Sequence, residues 1–235
     1  MRKKVIFKEL GLIDYAEGHD LQKEIFDKTV SLKVQNRKRS GADQWPTENH
    51  LLFCQHQPVY TLGRSGDQSN LLINEATLKA KGAQYFETGR GGDITFHGPG
   101  QLVGYPIFDL DLFFTDIHKY LRYLEEAVIL TLADYNLVAG RIDGLTGVWL
   151  DHVEQKRPRK ICAMGVKASR WVTMHGFALN VNTDLSFFNN IVPCGISDKA
   201  VTSMELELGE VVDFEKVEER MLFHLSELFE FEIVE

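Results

Sequence analysis

Residues 90–106 read Arg90-Gly-Gly-Asp-Ile-Thr-Phe-His-Gly-Pro-Gly-Gln-Leu-Val-Gly-Tyr-Pro106. Glycine accepts positive φ angles and lets another molecule approach the backbone, yet it loses more chain entropy on folding than any other residue. A cluster of glycines among strand-like residues therefore indicates a backbone held against a ligand. Two tight hairpin turns remain an alternative, because Gly-Gly and Gly-Pro-Gly are also common in turns.

The segments on either side of this stretch have the patterns of strands and helices. Apolar positions three and four residues apart predict long helices after Asp14, Thr115 and Asp213, with Thr115 as an N-cap, and a short helix over 75–81. Strands are predicted over 5–10, 51–53, 59–62, 84–88, 102–110, 160–168 and 173–182, with a hairpin around Gly144 and Gly147. Strands grouped around the helices, rather than strict alternation, predict an α+β fold with a mixed, largely antiparallel sheet.

The composition narrows the class of protein. A chain of 235 residues with 44% hydrophobic residues is long enough for one domain over 1–235, or a large domain with a small appendage. A net charge of −8 argues against nucleic-acid binding, and no apolar run is long enough for a signal peptide or a membrane span, so the expected location is the cytoplasm. Three cysteines without a Cys-x-x-Cys pair argue against a disulfide framework or a zinc site, and no metal is expected.

The glycines do not fit the common nucleotide motifs. Gly98-Pro-Gly100 is followed by Gly104, one residue too far for the dinucleotide fingerprint, and no Gly-Lys-Ser/Thr sequence closes a phosphate loop. A Gly-x-Ser-x-Gly nucleophile elbow is also missing from the sequence.

Cys194 is a candidate nucleophile because it stands between Pro193 and Gly195. A buried, inert thiol is the alternative interpretation of that context. A reactive thiolate needs an electropositive neighbour, and the candidates are Lys160, His97 and His175. Cys162 is a second possible thiol, because in an extended strand its side chain shares a face with Lys160.

Basic residues concentrate in the segment 156–170, which contains no acidic residue. They are Lys156, Arg157, Arg159, Lys160, Lys167 and Arg170. A solvated hairpin rim would explain them; the other interpretation is a docking patch for an acidic partner, with Arg157, Arg159 and Arg170 as its main contacts.

Four motifs occur in order along the chain: the Arg90 stretch, Lys160-Ile-Cys-Ala-Met-Gly-Val, His175-Gly-Phe-Ala-Leu-Asn-Val-Asn and Val192-Pro-Cys-Gly-Ile. Together they closely resemble the octanoyl-[acyl carrier protein]:protein N-octanoyltransferase family, and the similarity extends from Gln57 to Met204. The resemblance implies the fold of biotin and lipoate protein ligases, with an acyl tunnel against the sheet. Residues 43–47 and the segment Cys54-Gln-His-Gln depart from the family pattern. The resemblance therefore does not define the N-terminal docking surface.

The resemblance also implies roles for particular residues. Cys194 would carry the acyl thioester and Lys160 would lower its pKa. Substrate contacts would come from Arg90, Gly91, Gly92, Asp93, Ile94, Thr95, Phe96, His97, Ala163, Met164, Gly165, Gly176, Phe177 and Ala178. Among these residues Phe96, Met164 and Phe177 are expected to bound the acyl chain.

The implied reaction moves an octanoyl group from octanoyl-acyl carrier protein to a lysine, without a cofactor. Its acceptors would be the lipoyl domains of 2-oxoacid dehydrogenase complexes and the glycine cleavage H protein. Two alternatives remain at this point: an ATP-dependent lipoate or biotin protein ligase of the same fold, and a noncatalytic module that binds acyl groups or lipoyl domains.

Overall fold

The computed structural model describes residues 2–192 and 200–234, which form twelve strands and five α-helices. The helices are α1 (Tyr15–Asn36), α2 (Glu75–Ala80), α3 (Ile117–Asp134), α4 (Met204–Leu208) and α5 (Phe214–Phe229). The strands are β1 (Lys3–Ile13), β2 (His50–His56), β3 (Val59–Leu62), β4 (Gln84–Glu87), β5 (Thr95–His97), β6 (Gln101–Ile107), β7 (Ala139–Ile142), β8 (Leu145–Leu150), β9 (Arg159–Ser169), β10 (Val172–Asn180), β11 (Ala200–Val201) and β12 (Phe231–Val234).

Two sheets organise these strands. Within the described residues, the larger sheet has the order β12-β1-β2-β6-β10-β9-β8-β7, with β11 alongside β9. Its pairings from β2 to β7 are antiparallel, while β1 pairs in parallel with both β2 and β12. The smaller sheet has the order β4-β3-β5. The predicted α+β class with a mixed, largely antiparallel sheet is confirmed.

Each face of the larger sheet is covered by a different group of helices. α3 and α5 pack on one face, where Phe53, Phe177 and Leu179 meet Leu124 and Leu225 in the main core. α1 covers part of the opposite face through Phe26, and the candidate site occupies the rest of that face. Alternate strand residues point to opposite faces, so each strand contributes to both layers.

The helix starts follow ordinary capping chemistry, with one correction. The Asp213 carboxylate accepts a hydrogen bond from the Lys216 N–H and begins α5, as the sequence predicts. For α3 the predicted cap Thr115 is wrong by one residue. Asp116 is the N-cap, because its carboxylate accepts bonds from the N–H groups of His118 and Lys119.

The smaller sheet has a core of its own. Tyr60 of β3 and Phe96 of β5 pack with Ile94 and Ile191. The Tyr60 hydroxyl donates to the Phe187 carbonyl at 2.9 Å, which ties the turn over 185–190 to this sheet. In the described part of the chain, every helix is too short or too polar to cross a membrane.

Candidate functional site

A cleft of about 550 Å³ lies between the glycine-rich loop over 89–94 and strands β6, β9 and β10. Lys160 and all but one of the predicted substrate residues line it, namely Arg90, Gly91, Gly92, Asp93, Ile94, Thr95, His97, Ala163, Met164, Gly165, Gly176, Phe177 and Ala178. The exception is Phe96, whose ring stacks on Phe187 at 4.6 Å inside the core of the smaller sheet. Cys194 lies outside the described residues.

Glycine is required where the loop approaches β9. A Cβ atom on Gly165 would lie 2.6 Å from the Gly91 carbonyl oxygen, which is closer than a real Cβ contact. Gly92 adopts φ +90°, a conformation that side-chain-bearing residues rarely occupy. These glycines therefore allow the close approach of the loop to β9. That this backbone is held against a ligand stays a prediction.

Arg90 and Asp93 use their charged groups to hold the loop. The Arg90 guanidinium donates to the Thr61 carbonyl at 2.6 Å, to the Thr61 hydroxyl at 2.9 Å and to the Gly91 carbonyl at 3.0 Å. The Asp93 carboxylate accepts bonds from the Asn70 side chain and the Ile94 N–H, each at 2.7 Å. These contacts fasten the loop to β3 and to the residues that precede α2.

His97 is buried with both ring nitrogens engaged. Its Nδ1 lies 2.8 Å from Gln101 Oε1 and its Nε2 lies 3.3 Å from the Thr61 hydroxyl. Burial lowers the pKa of His97 to about 3, with smaller contributions from His56 and Arg90. The imidazole is therefore neutral near pH 7.

His175 lines the cleft because its backbone is left-handed. By strand alternation it belongs on the same face as Phe177 and Leu179, toward the main core. Its φ of 62° turns the ring into the cleft instead, where it lies 5.9 Å from the His19 ring. The Gln22 side chain accepts the His175 N–H at 3.1 Å and supports this strained conformation. Burial lowers the pKa of His175 to about 3.

Two tyrosines in the cleft carry no sequence signal that predicts them. Tyr15 begins α1 and its ring lies parallel to His97 at 6.1 Å. Tyr105 of β6 places its hydroxyl 2.6 Å from His56 Nε2. Because the His56 Nδ1–H donates to the Ile13 carbonyl, Nε2 accepts the Tyr105 proton. Tyr105 lies inside the predicted strand over 102–110, where its orientation depends on the register of the sheet.

Lys160 projects into the cleft from the start of β9. Its Nζ lies 4.7 Å from the centre of the Trp149 ring, whose face attracts an ammonium group. Gly147 adopts φ +115°, and a Cβ there would lie 3.5 Å from the Lys160 side chain. The buried Glu125 carboxylate accepts the Gly147 N–H at 3.0 Å and fixes this turn against the lysine.

Cys162 does not share a face with Lys160, so that prediction is wrong. Val148 pairs with Cys162 and the next residue, Trp149, pairs with Lys160, which leaves Ile161 as an extra residue in β9. A β-bulge of this kind breaks the alternation of side chains. Cys162 consequently lies in the main core, where burial raises the pKa of its thiol.

The predicted basic patch is divided between the two ends of β9. Arg159 begins the strand and Arg170 follows its end, so about 35 Å of strand at about 3.3 Å per residue separates them. Arg159 forms two bonds with the Glu207 carboxylate, at 2.7 and 2.9 Å. Lys156 pairs with Glu154. A single patch containing Arg157, Arg159 and Arg170 is therefore contradicted.

Acidic, histidine and cysteine side chains do not come together as a metal site anywhere in residues 2–192 and 200–234. The titratable groups that line the cleft are instead Lys160, Arg90, Asp93, the two neutral histidines and the two tyrosines. The arrangement offers a lysine at one end and a glycine-bounded channel beside it.

The fold is that of lipoate and biotin protein ligases. A chain from the structural study of a bi-partite lipoate protein ligase and its E2 lipoyl domain, from Thermoplasma acidophilum, matches with a TM-score of 0.68 and 18% identity, over 100% of this chain and 86% of that chain. Biotin protein ligase from Aquifex aeolicus matches with a TM-score of 0.54 and 14% identity, over 97% and 71%. The predicted fold is confirmed.

Sequence similarity is more specific than fold. The family of the lipoyl protein ligase A/B catalytic domain matches residues 14–226. An octanoyltransferase from Cytophaga hutchinsonii is 61% identical over 98% of this chain and 95% of that protein. The chain belongs to the lipoyl protein ligase A/B catalytic domain family, and within it to the octanoyltransferases.

Proposed function

We propose that the protein moves an octanoyl group from octanoyl-acyl carrier protein to a lysine of lipoyl domains, through a thioester on Cys194. The observation that carries this proposal is the cleft in which Lys160 meets the glycine-rich loop. Val192 and Ala200 are the described residues nearest to Cys194 in the sequence. Ala200 also lines the cleft, and Val201 pairs with Lys160, which supports delivery of the thiol to that place.

In the first half-reaction, the Cys194 thiolate attacks the carbonyl carbon of the donor thioester. The new carbon–sulfur bond forms octanoyl-Cys194, and the bond to the donor sulfur breaks. Protonated Lys160 gives its proton to the departing thiolate, which leaves as a thiol. One thioester replaces another, so the step requires no ATP.

In the second half-reaction, a lysine amine of the acceptor attacks octanoyl-Cys194. An amide forms, the Cys194 thiolate leaves, and Lys160 accepts the surplus proton of the amine. Backbone N–H groups near Gly165 or Cys194 are the proposed donors to the oxyanion of each tetrahedral intermediate. Lys160 thus returns to its protonated state at the end of each cycle.

The octanoyl chain would occupy the cleft as an acyl tunnel. Seven carbons beyond the carbonyl contribute on the order of 5 kcal/mol when buried, at about 0.8 kcal/mol per methylene. Glycines 91, 92, 165 and 176 leave room for the chain, and Met164 and Phe177 bound it. Phe96 supports the wall of the cleft from behind, because its ring packs on the far side of β5.

The proposed acceptors are the lipoyl domains of 2-oxoacid dehydrogenase complexes and the glycine cleavage H protein, in the cytoplasm. We propose residues 1–235 as one catalytic domain with no cofactor. An ATP-dependent ligase shares the fold, but it would activate a free acid as an adenylate and would not need Cys194. The identity to an octanoyltransferase supports transfer from a thioester rather than activation of a free acid.

Intact-mass spectrometry tests the proposal. The purified protein is incubated with octanoyl-acyl carrier protein, and we expect an octanoyl adduct that hydroxylamine removes. Cys194→Ala should lose the adduct and remain folded, because the nucleophile is gone. Cys162→Ala is the matched control and should keep the adduct, since Cys162 lies in the main core.

Full transfer activity of Cys194→Ala would reject the nucleophile. Consumption of ATP with free octanoate, without transfer from the carrier protein, would select the ligase alternative. Binding of the acyl group without any covalent adduct would select the noncatalytic module.

A further inference from the structure

Gln101 and Asn180 are buried amides that line the cleft between the glycine-rich loop and Lys160. Gln101 begins β6 and Asn180 ends β10. A buried amide is costly unless its oxygen and its nitrogen both find partners. The partners of these two residues determine how their side chains are oriented.

Main-chain carbonyls fix both orientations. Gln101 donates to the Phe96 carbonyl at 3.2 Å and to Asn180 Oδ1 at 2.8 Å. A carbonyl only accepts, so the nitrogen of Gln101 faces Phe96 and its oxygen faces His97. Asn180 donates to the Thr202 carbonyl at 2.9 Å, which turns its own oxygen toward Gln101.

These orientations determine where His97 carries its proton. Gln101 Oε1 accepts, so the proton resides on His97 Nδ1, 2.8 Å away. On the other side, Arg90 donates to the Thr61 oxygen, which directs the Thr61 proton toward His97 Nε2. An arginine has no acceptor, so the direction cannot reverse. The neutral state of His97, a result of its burial, agrees with this assignment.

The same line of hydrogen bonds continues to the lysine. The Thr202 N–H donates to the Lys160 carbonyl at 3.0 Å. Donors therefore point in one direction along the whole line, which runs through Arg90, Thr61, His97, Gln101, Asn180, Thr202 and Lys160. It begins at the loop that faces the cleft and ends at the backbone of Lys160.

We propose that Gln101 and Asn180 are positioning residues of the acyl transfer, which lock His97 in its Nδ1–H tautomer and hold the glycine-rich loop at a fixed separation from Lys160. The inference rests on the proposed function, because the two ends of the line matter as the acyl-binding loop and the proton carrier. His97 acts as a link in this line and not as an acid or a base. Loss of either amide lets the two sides of the cleft shift.

Nitrogen-15 NMR of the histidine rings and steady-state kinetics with octanoyl-acyl carrier protein test this inference on the full chain. The wild-type protein should show His97 as the Nδ1–H tautomer at pH 7. In Gln101→Leu we expect that signature to be lost and kcat to fall by about 10²-fold, with little change in KM, because a displacement of about 1 Å can cost that much.

Gln55→Leu is the matched control. Gln55 also accepts a bond in this region, from the Gly100 N–H at 2.7 Å, but it stands outside the line. We expect this variant to keep both the tautomer and kcat. Should Gln101→Leu not fold, Thr61→Val removes the hydroxyl proton at the other side of His97 and should lower kcat in the same way.

The inference is overturned if wild-type His97 is the Nε2–H tautomer, or if folded Gln101→Leu keeps its kcat. Failure of the wild-type protein to form the octanoyl adduct refutes the proposed function instead. The tautomer of His97 is read without any turnover, so the two failures are distinguishable.

Discussion

At the scale of single residues, the proposed chemistry depends on a proton shared between a thiol and an amine. Reference pKa values of about 8.5 for cysteine and 10.4 for lysine favour the thiolate–ammonium pair by roughly 2.6 kcal/mol before burial acts. Burial penalises both charges, while the attraction between them offsets part of that penalty. The pair keeps zero net charge in either state, which suits a half-buried cleft.

Lys160→Ala should slow formation of the octanoyl adduct most at neutral pH. Without the amine, a thiol of ordinary pKa is only a few per cent ionised at pH 7, and the ionised fraction rises with pH to about one half at pH 8.5. Rates of adduct formation between pH 6 and 9 would show this partial recovery. Lys167→Ala, on the same strand but over the Phe26 ring, is the control and should react normally. A loss that does not vary with pH would assign Lys160 to binding or folding.

Gly165→Ala should impair transfer because the added methyl group meets the Gly91 carbonyl at 2.6 Å. The loop or β9 must then shift, and we expect kcat to fall by about tenfold or more, since misplaced groups reduce rates steeply. Gly89→Ala is the control, because its Cβ would meet only the Lys167 side chain at 3.5 Å. Equal activity of the two variants would show that the close approach is unimportant.

The sequence predicted which residues line the cleft better than it predicted their hydrogen-bond partners. Arg90 and Asp93 were expected to contact substrate, and both line the cleft, but their charged groups also bind Thr61 and Asn70. Those partners are more than twenty residues away in the chain. No local pattern predicts a contact that only the pairing of β3 with β5 brings about.

At the scale of elements, β9 and β10 were predicted within two residues of their ends, but their irregularities were not. The bulge at Ile161 moves Cys162 into the core, and the left-handed His175 turns its ring into the cleft. The prediction of which face a side chain occupies assumes a regular strand, in which successive side chains alternate between the two faces of the sheet. Both departures depend on tertiary contacts, such as the Gln22 side chain that accepts the His175 N–H.

The division of the basic segment makes a prediction for its two ends. Arg159 and Lys156 have carboxylate partners, while Arg170 forms no ion pair with any residue in 2–192 or 200–234. We expect Arg170→Glu to raise the KM for octanoyl-acyl carrier protein several-fold, and less so at high salt, because exposed charges are screened. Arg157→Glu, at the end where Lys156 and Arg159 have carboxylate partners, should change KM little. The KM for a small octanoyl thioester is the further control.

An unchanged KM for Arg170→Glu would remove this end of β9 from donor docking. A larger increase in KM for Arg157→Glu than for Arg170→Glu would indicate that the donor docks at the end of β9 near Lys160. Equal effects on the protein donor and on the small thioester would indicate damage to the cleft rather than to docking.

At the scale of the whole molecule, two sheets and their separate cores meet around the cleft. The resemblance to a known family predicted the overall fold, and composition predicted an enzyme-sized core. Neither predicted that β3, β4 and β5 form a separate sheet, because short strands of this kind give similar patterns in either sheet.

Occupation of the cleft should stabilise the molecule as a whole. An octanoyl group on Cys194 buries a chain that contributes on the order of 5 kcal/mol at most. A domain of this size gains about 2–4 °C in Tm per kcal/mol, so we expect the octanoyl enzyme to melt several degrees above the free enzyme. Differential scanning fluorimetry of the free, acetyl and octanoyl enzymes makes the comparison, and the acetyl enzyme is the control for the thioester itself. Equal melting temperatures would show that the chain stays in water.

The bulge in β9 has an evolutionary consequence. Because Ile161 is an unpaired residue, the spacing between Lys160 and Gly165 sets which side chains belong to the core and which to the cleft. Deletion of one residue there would turn core side chains toward the cleft and cleft side chains toward the core. A change in the length of the neighbouring loop over 151–158 would leave the alternation of side chains along β9 unchanged. Natural insertions and deletions should therefore accumulate in the loop and spare this short interval.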